Sequence, residues 1–138
     1  MLTHKAHGKE FVFKENMPSH VKAIQMVLDA LTGKDCGVVS SMKEIAAVGH
    51  RVVHGAEDYK SSALIDEKVL DCCKENIELA PLHNPANIMG IEACRKVMPD
   101  TPMVAVFDTA FHATMPDVAF LYGLPYDDYK QLRIRKYG

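Results

Sequence analysis

The sequence predicts an α/β fold in which helices pack on a mixed sheet, and three observations carry that expectation. The first is Met103–Phe107 (MVAVF), an apolar run that follows Pro102 and stops abruptly at Asp108. A run this short and rich in β-branched residues reads as a strand buried on both faces. The second is Ala46–Gly55 (AAVGHRVVHG), which reads as another strand. The third is a set of segments whose apolar residues recur at helical spacing behind a capping residue, the pattern of amphipathic helices.

Taken from the N-terminus, a polar tail precedes Gly8–Lys14 (GKEFVFK), which reads as a short edge strand. Ser19 caps a helix whose apolar stripe is Val21, Ile24, Val27, Leu28 and Leu31, with Gly33 as its stop. Asp35–Ser40 reads as a loop with a possible short strand, and Met42–Ile45 as a single helical turn. After the Ala46–Gly55 strand, Gly55–Leu64 is a polar loop. Asp66 then caps a helix that runs to about Leu79, with Val69, Leu70, Cys73 and Ile77 inward. Asn84 reads as the N-cap of the next helix, with Pro85 at the first helical position. Ile88, Ile91, Cys94 and Met98 form its stripe, and Pro99 stops it. Beyond the MVAVF strand, Met115-Pro116 turns the chain, Leu124-Pro125 breaks it, and Tyr126–Leu132 reads as a helix. Arg133–Gly138 reads as the start of a strand or as an active-site segment.

The 138 residues suffice for a single α/β domain with its own core. A net charge of −2 points away from nucleic acid and from an anionic membrane surface. No apolar run approaches a membrane span, and the first residues lack a signal-peptide core. Cys36, Cys72, Cys73 and Cys94 contain no C-x-x-C pair and read as reduced, mostly buried thiols of a cytoplasmic protein.

Candidate chemistry gathers at three places. Asp108 ends a buried strand, where open α/β sheets put their reactive groups; the competing reading is a capping role for a turn or short helix. In the second strand Arg51 and Val53 share a face, with Gly49 and Gly55 beside them. The arginine offers a planar fork for a carboxylate or phosphate, and the valine offers apolar contact. His50 and His54 share the opposite face, and a metal there would need further ligands such as His83 and His112. Leu82 and His83 precede a helix N-terminus, where free N–H groups attract anions.

Three segments, GHRVVHG (Gly49–Gly55), LAPLHNPANIMGIEAC (Leu79–Cys94) and VAVFDTAFHATMP (Val104–Pro116), resemble the acetate kinase family, as does the closing YGLPYDDYKQLRIRKYG. The likeness is collinear, covers nearly the whole chain, and looks closer to acetate and propionate kinases than to butyrate kinases. It implies phosphoryl transfer between ATP and the carboxylate of acetate, giving ADP and acetyl phosphate with Mg²⁺. The implied fold is part of an actin-like, sugar-kinase-like (ribonuclease H-like) lobe. By the same resemblance Arg51 binds the substrate, Val53 and Leu82 wall the acetate methyl, His83 lines the cleft, and Asp108 is the acidic residue that takes part in catalysis. Ala56 and Ala113 stand where the family usually has a glycine and a glutamine. The family's Asn/Ser-rich phosphate loop, its Phe-His-Gly motif and its nucleotide-binding lobe have no counterpart in these residues. The resemblance therefore implies an internal piece of the N-terminal lobe, without turnover of its own. A piece that exposes strand edges and apolar surface is expected to self-associate, and the complete enzyme is expected to be a homodimer.

Acetate is already ionised at neutral pH and needs no general base, so the expected role of Asp108 is to orient Mg²⁺ or its waters. Two other readings stand beside the enzyme fragment: a non-catalytic remnant that binds small anions or a partner, and one piece of a split enzyme.

Overall fold

A computed structural model describes residues 1–138. The elements, in order, are β1 (Leu2–Ala6), β2 (Lys9–Phe13), α1 (His20–Thr32), a 3₁₀ turn (Met42–Glu44), β3 (Val48–Val52), β4 (Ala63–Leu64) and α2 (Glu67–Glu75). They continue with α3 (Asn84–Val97), β5 (Met103–Phe107), α4 (Ala110–Ala113), α5 (Asp117–Phe120) and α6 (Tyr126–Leu132). Contacts divide the chain into two compact units, Met1–Val48 with Met89–Pro102, and Gly49–Ile88 with Met103–Gly138.

In the first unit the expected polar tail is a strand. β1 pairs antiparallel with β2, Leu2 opposite Phe13 and Ala6 opposite Lys9. The two-residue connection His7-Gly8 has φ of 52° and 72°. Positive φ at both central residues is the tight-hairpin geometry whose twist matches the flanking strands. The alternation of LTHKA and the His-Gly pair carried this signal, and the charged and polar residues obscured it. Ser19 caps α1 as expected, its side chain accepting from the Lys22 N–H. Of the predicted stripe, Leu28 is buried, Val21, Ile24 and Leu31 are half-buried and Val27 is exposed, while Met26 and Ala30 are buried in addition. Ala6, Cys36, Ile91, Ala93, Cys94 and Met98 complete the buried hydrophobic set of this unit.

The second unit is built on a three-stranded sheet of order β3-β5-β4. β4 and β5 run antiparallel, with Ala63 opposite Ala105. The Val48 N–H donates to Pro102 O, and at the other end the Asp108 N–H donates to Val52 O. These bonds climb both strands in the same direction, so β3 and β5 are parallel and the sheet is mixed. β5 is central but not buried on both faces: Met103, Ala105 and Phe107 are buried, whereas Val106 is 48% exposed. Side chains alternate across a strand, and an unbroken apolar run does not by itself show that both faces are covered.

Four further expectations need correction. The polar loop predicted over Gly55–Leu64 ends in a strand, β4, which pairs with the central strand. The strand predicted over Ala46–Gly55 is only Val48–Val52. The helix begun at Asp66, whose carboxylate accepts from the Val69 N–H, ends at Glu75 and not near Leu79. There the Asn76 side chain donates to Cys72 O at 2.8 Å and closes the last turn. Arg133–Gly138 forms no strand: Arg133 takes φ 55° at the end of α6, a left-handed conformation that terminates the helix.

Candidate functional site

β3 and β5 end side by side, and their carboxyl ends carry Arg51 and Asp108. The two side chains meet directly. Arg51 Nε donates to both carboxylate oxygens at 3.1 Å, and Nη2 donates to Oδ2 at 2.7 Å. Asp108 therefore does not cap α4, whose N-cap residue Thr109 also makes no side-chain capping bond. The pair is open to solvent, with side chains 75% and 37% exposed. The hydrogen bond and the charge of Asp108 raise the already high pKa of Arg51.

Beyond Val52 the chain leaves the sheet, and four consecutive N–H groups lose their ladder partners. Side chains take them over. The Val53 N–H donates to Asn87 Oδ1, His54 N–H to Asn84 Oδ1, Gly55 N–H to Thr109 Oγ1 and Ala56 N–H to His54 Nδ1, each at 3.1 Å. Asn84 is fully buried, and its Nδ2 also donates to the carbonyls of His54 (3.0 Å) and Cys73 (3.1 Å). Its expected role as an N-cap is thus corrected: Asn84 opens α3 as a helical residue, and its side chain fixes the loop after β3. Helical bonding already begins one turn earlier, with Asn84 N–H to Ala80 O and Asn87 N–H to His83 O.

Ala56 sits at φ 48° and is buried. That left-handed conformation is the one glycine adopts freely. The Cβ of any residue replacing Gly55 would lie 2.4 Å from Phe107 Cδ1, so only glycine lets the loop pass over that ring.

The loop then presents Glu57 to the C-terminal segment. Glu57 accepts from Arg135 Nη1 at 2.5 Å, Tyr129 OH at 2.8 Å and Arg133 Nε at 3.3 Å. Desolvation pushes the carboxyl up, but the bonds from Arg135 and Tyr129 outweigh it and hold Glu57 below the usual range. The Arg135 side chain is 3% exposed and lies over the Phe120 ring, with Nη2 donating to His112 O at 2.8 Å. Sequence reasoning passed over Glu57 as part of a polar loop.

The remaining candidates are placed differently. Val53 is half-buried, and Leu82 is 85% exposed. His83 is exposed, and neither it nor Leu82 bonds the Arg51–Asp108 pair. His54 lies past the strand and spends Nδ1 on the Ala56 N–H, while His50 Nε2 is buried without a partner. No group of three or more His, Cys, Asp or Glu side chains is gathered to hold a metal.

The family model for the acetokinase family matches residues 1–138. The chain belongs to the acetokinase family. It is 59% identical over all 138 residues to acetate kinase of Clostridium botulinum (strain 657 / Type Ba4), covering 35% of that protein. Among solved structures it superposes on Porphyromonas gingivalis acetate kinase with a TM-score of 0.89 at 42% identity, covering 98% of this chain and 34% of that one. A propionate kinase from Francisella tularensis gives a TM-score of 0.82 at 42% identity, covering 94% and 32%. The fold is therefore part of an actin-like lobe, and the chain spans about a third of the length of its curated relatives.

Proposed function

We propose that the chain supplies the carboxylate-handling part of an acetate kinase, which moves a phosphoryl group between ATP and acetate to give ADP and acetyl phosphate. One observation carries the reading: an exposed guanidinium and a carboxylate stand together at the carboxyl ends of two parallel strands, where α/β sheets bind ligands. Arg51 grips the acetate carboxylate or the transferring phosphoryl group through its planar fork. Val53 and Leu82 face the methyl, and His83 lines the approach. Val53 is held in place through its backbone by Asn87.

Asp108 is the residue that meets Mg²⁺, directly or through water. Mg²⁺ takes one or two carboxylates together with waters and phosphate oxygens. A single carboxylate, already charge-paired with Arg51, suits a cation that arrives on nucleotide phosphates, not a dedicated cage. When bound, Mg²⁺ neutralises charge on the phosphoryl oxygens. Nucleotide binding belongs to the two thirds of the relatives' length that these residues do not span. A cytoplasmic setting fits four unpaired cysteines. Exposed Val118 (92%), Leu82 (85%) and Phe111 (74%) fit self-association, toward a homodimer in the complete enzyme.

The test is a graft. Residues 1–138 replace the matching segment of Porphyromonas gingivalis acetate kinase, and acetyl phosphate is assayed. The grafted enzyme is expected to turn over, and Arg51→Ala or Asp108→Asn is expected to lower kcat/KM about 100-fold or more, the scale at which lost charge stabilisation shows. An active graft indifferent to both substitutions refutes the assignment. A folded graft that binds acetate without turnover favours an anion-binding module.

A further inference from the structure

We infer that Asp108 is an internal competitor for Arg51, so that an anion reaching Arg51 and a divalent cation reaching Asp108 each free the group the other needs. This rests on the reading of Arg51 as the carboxylate grip and deepens it to how the site is controlled.

The geometry is that of a ligand complex closed on itself. The Nε–Nη2 edge of a guanidinium is one of those with which arginine takes a carboxylate bidentately. Asp108 occupies that edge with three hydrogen bonds of 2.7–3.1 Å. The acetate carboxylate is chemically the same group as the Asp108 side chain and competes for the same donors. Neither side chain has a second side-chain partner, so a ligand of the right charge displaces only the other member of the pair. Both groups face solvent, where ion pairs carry little net stability and exchange readily. The backbones are fixed meanwhile, because the Asp108 N–H stays bonded to Val52 O across the strand pair. Only side chains need to swing.

A cation on Asp108 removes the competitor and tightens anion binding. By linkage the anion tightens cation binding by the same factor.

The test uses the full 138-residue chain with ¹⁵N-labelled arginine, acetate as the anion and Mg²⁺ as the cation, at constant ionic strength. Acetate binding is read from the Arg51 Nε–H resonance. Mg²⁺ at saturating concentration is expected to tighten acetate binding by up to about fivefold, the limit that an exposed ion pair sets. Asp108→Asn is expected to tighten it without Mg²⁺ and to abolish the Mg²⁺ effect. Arg51→Gln is expected to strengthen Mg²⁺ binding, read from the ¹³C shift of the Asp108 carboxylate. Because both side chains are exposed, the remaining arginine resonances are expected to keep their dispersion and so report folding. If acetate shifts Arg51 equally with and without Mg²⁺, and Asp108→Asn changes nothing, the competition is refuted while Arg51 as the grip survives. If acetate shifts Arg51 in neither wild type nor Asp108→Asn, both fall.

Discussion

Truncating Asn84 to alanine is expected to cost the chain about 3–5 kcal/mol. The side chain is fully buried and serves three backbone groups: the N–H and carbonyl of His54 and the carbonyl of Cys73. A buried polar group left without a partner costs about 1–3 kcal/mol. Three such groups therefore lose at least ~3 kcal/mol, and partial relaxation keeps the sum below the maximum. That is a large fraction of the ~5–15 kcal/mol that holds a domain together. Asn84→Asp sharpens the test. The retained oxygen still accepts from the His54 N–H, but the second oxygen then faces two carbonyls that the amide had donated to. At neutral pH the aspartate is expected to cost more than the alanine. Protonation restores one donor, so the folded state raises the pKa of this acid above the ordinary ~3.9. Stability carried by a raised acid is present at low pH and lost as pH rises. The deficit against wild type is therefore expected to shrink toward about pH 4 and to widen above it. Urea unfolding followed by far-UV circular dichroism measures both, since the chain has no tryptophan. A loss under about 1 kcal/mol for Asn84→Ala refutes the claim that these bonds lack substitutes.

Gly55→Ala is expected to destabilise by about 1–3 kcal/mol through overpacking. Its Cβ would meet the Phe107 ring, which is stacked on Tyr59 at 4.7 Å; Phe107→Leu in the same chain should recover part of the loss, and strict additivity of the two would count against the clash. Burial, and then the charge of Arg133, hold His54 below its ordinary value, and its Nδ1 must stay unprotonated to accept the Ala56 N–H. Its contribution is thus present above about pH 6.5 and lost as pH falls through the depressed folded value; Tm against pH should lose this slope in His54→Gln, and an unchanged slope would reject the assignment. Burial, reinforced by Asp58, pushes the Cys72 thiol up to about 11. Thiolate is the nucleophile, so iodoacetamide at pH 8 should label Cys72 only after unfolding; rapid labelling of the native chain would contradict this.

Helix caps, turn signals and the family motifs were legible because each is written within a few residues. Ser19 reaches Lys22 and Asp66 reaches Val69, both three positions on. The tight His7-Gly8 turn was equally local, yet the polarity of the first strand hid it. Asp108 at the end of β5 was legible as a candidate because a strand that stops in a carboxylate is a one-dimensional signal.

Its partner was not. Arg51 and Asp108 are 57 residues apart, Asn84 and His54 are 30 apart, and Arg135 and Glu57 are 78 apart. Asn84 shows the limit most clearly. An asparagine before proline at a helix start has capping as its local option, but the four N–H groups from Val53 to Ala56 have no partner in their own segment and draw side chains from distant ones. The sequence by itself determined the main helices and the two strands that carry the candidate residues, the family, and which residue types stand ready for anion chemistry, because propensity, capping and motif all act over short spans. Only the tertiary structure decided that Arg51 and Asp108 grip one another and that asparagines fix the loop beside them. Which donor meets which acceptor depends on how the chain returns through space, and local composition carries no record of that.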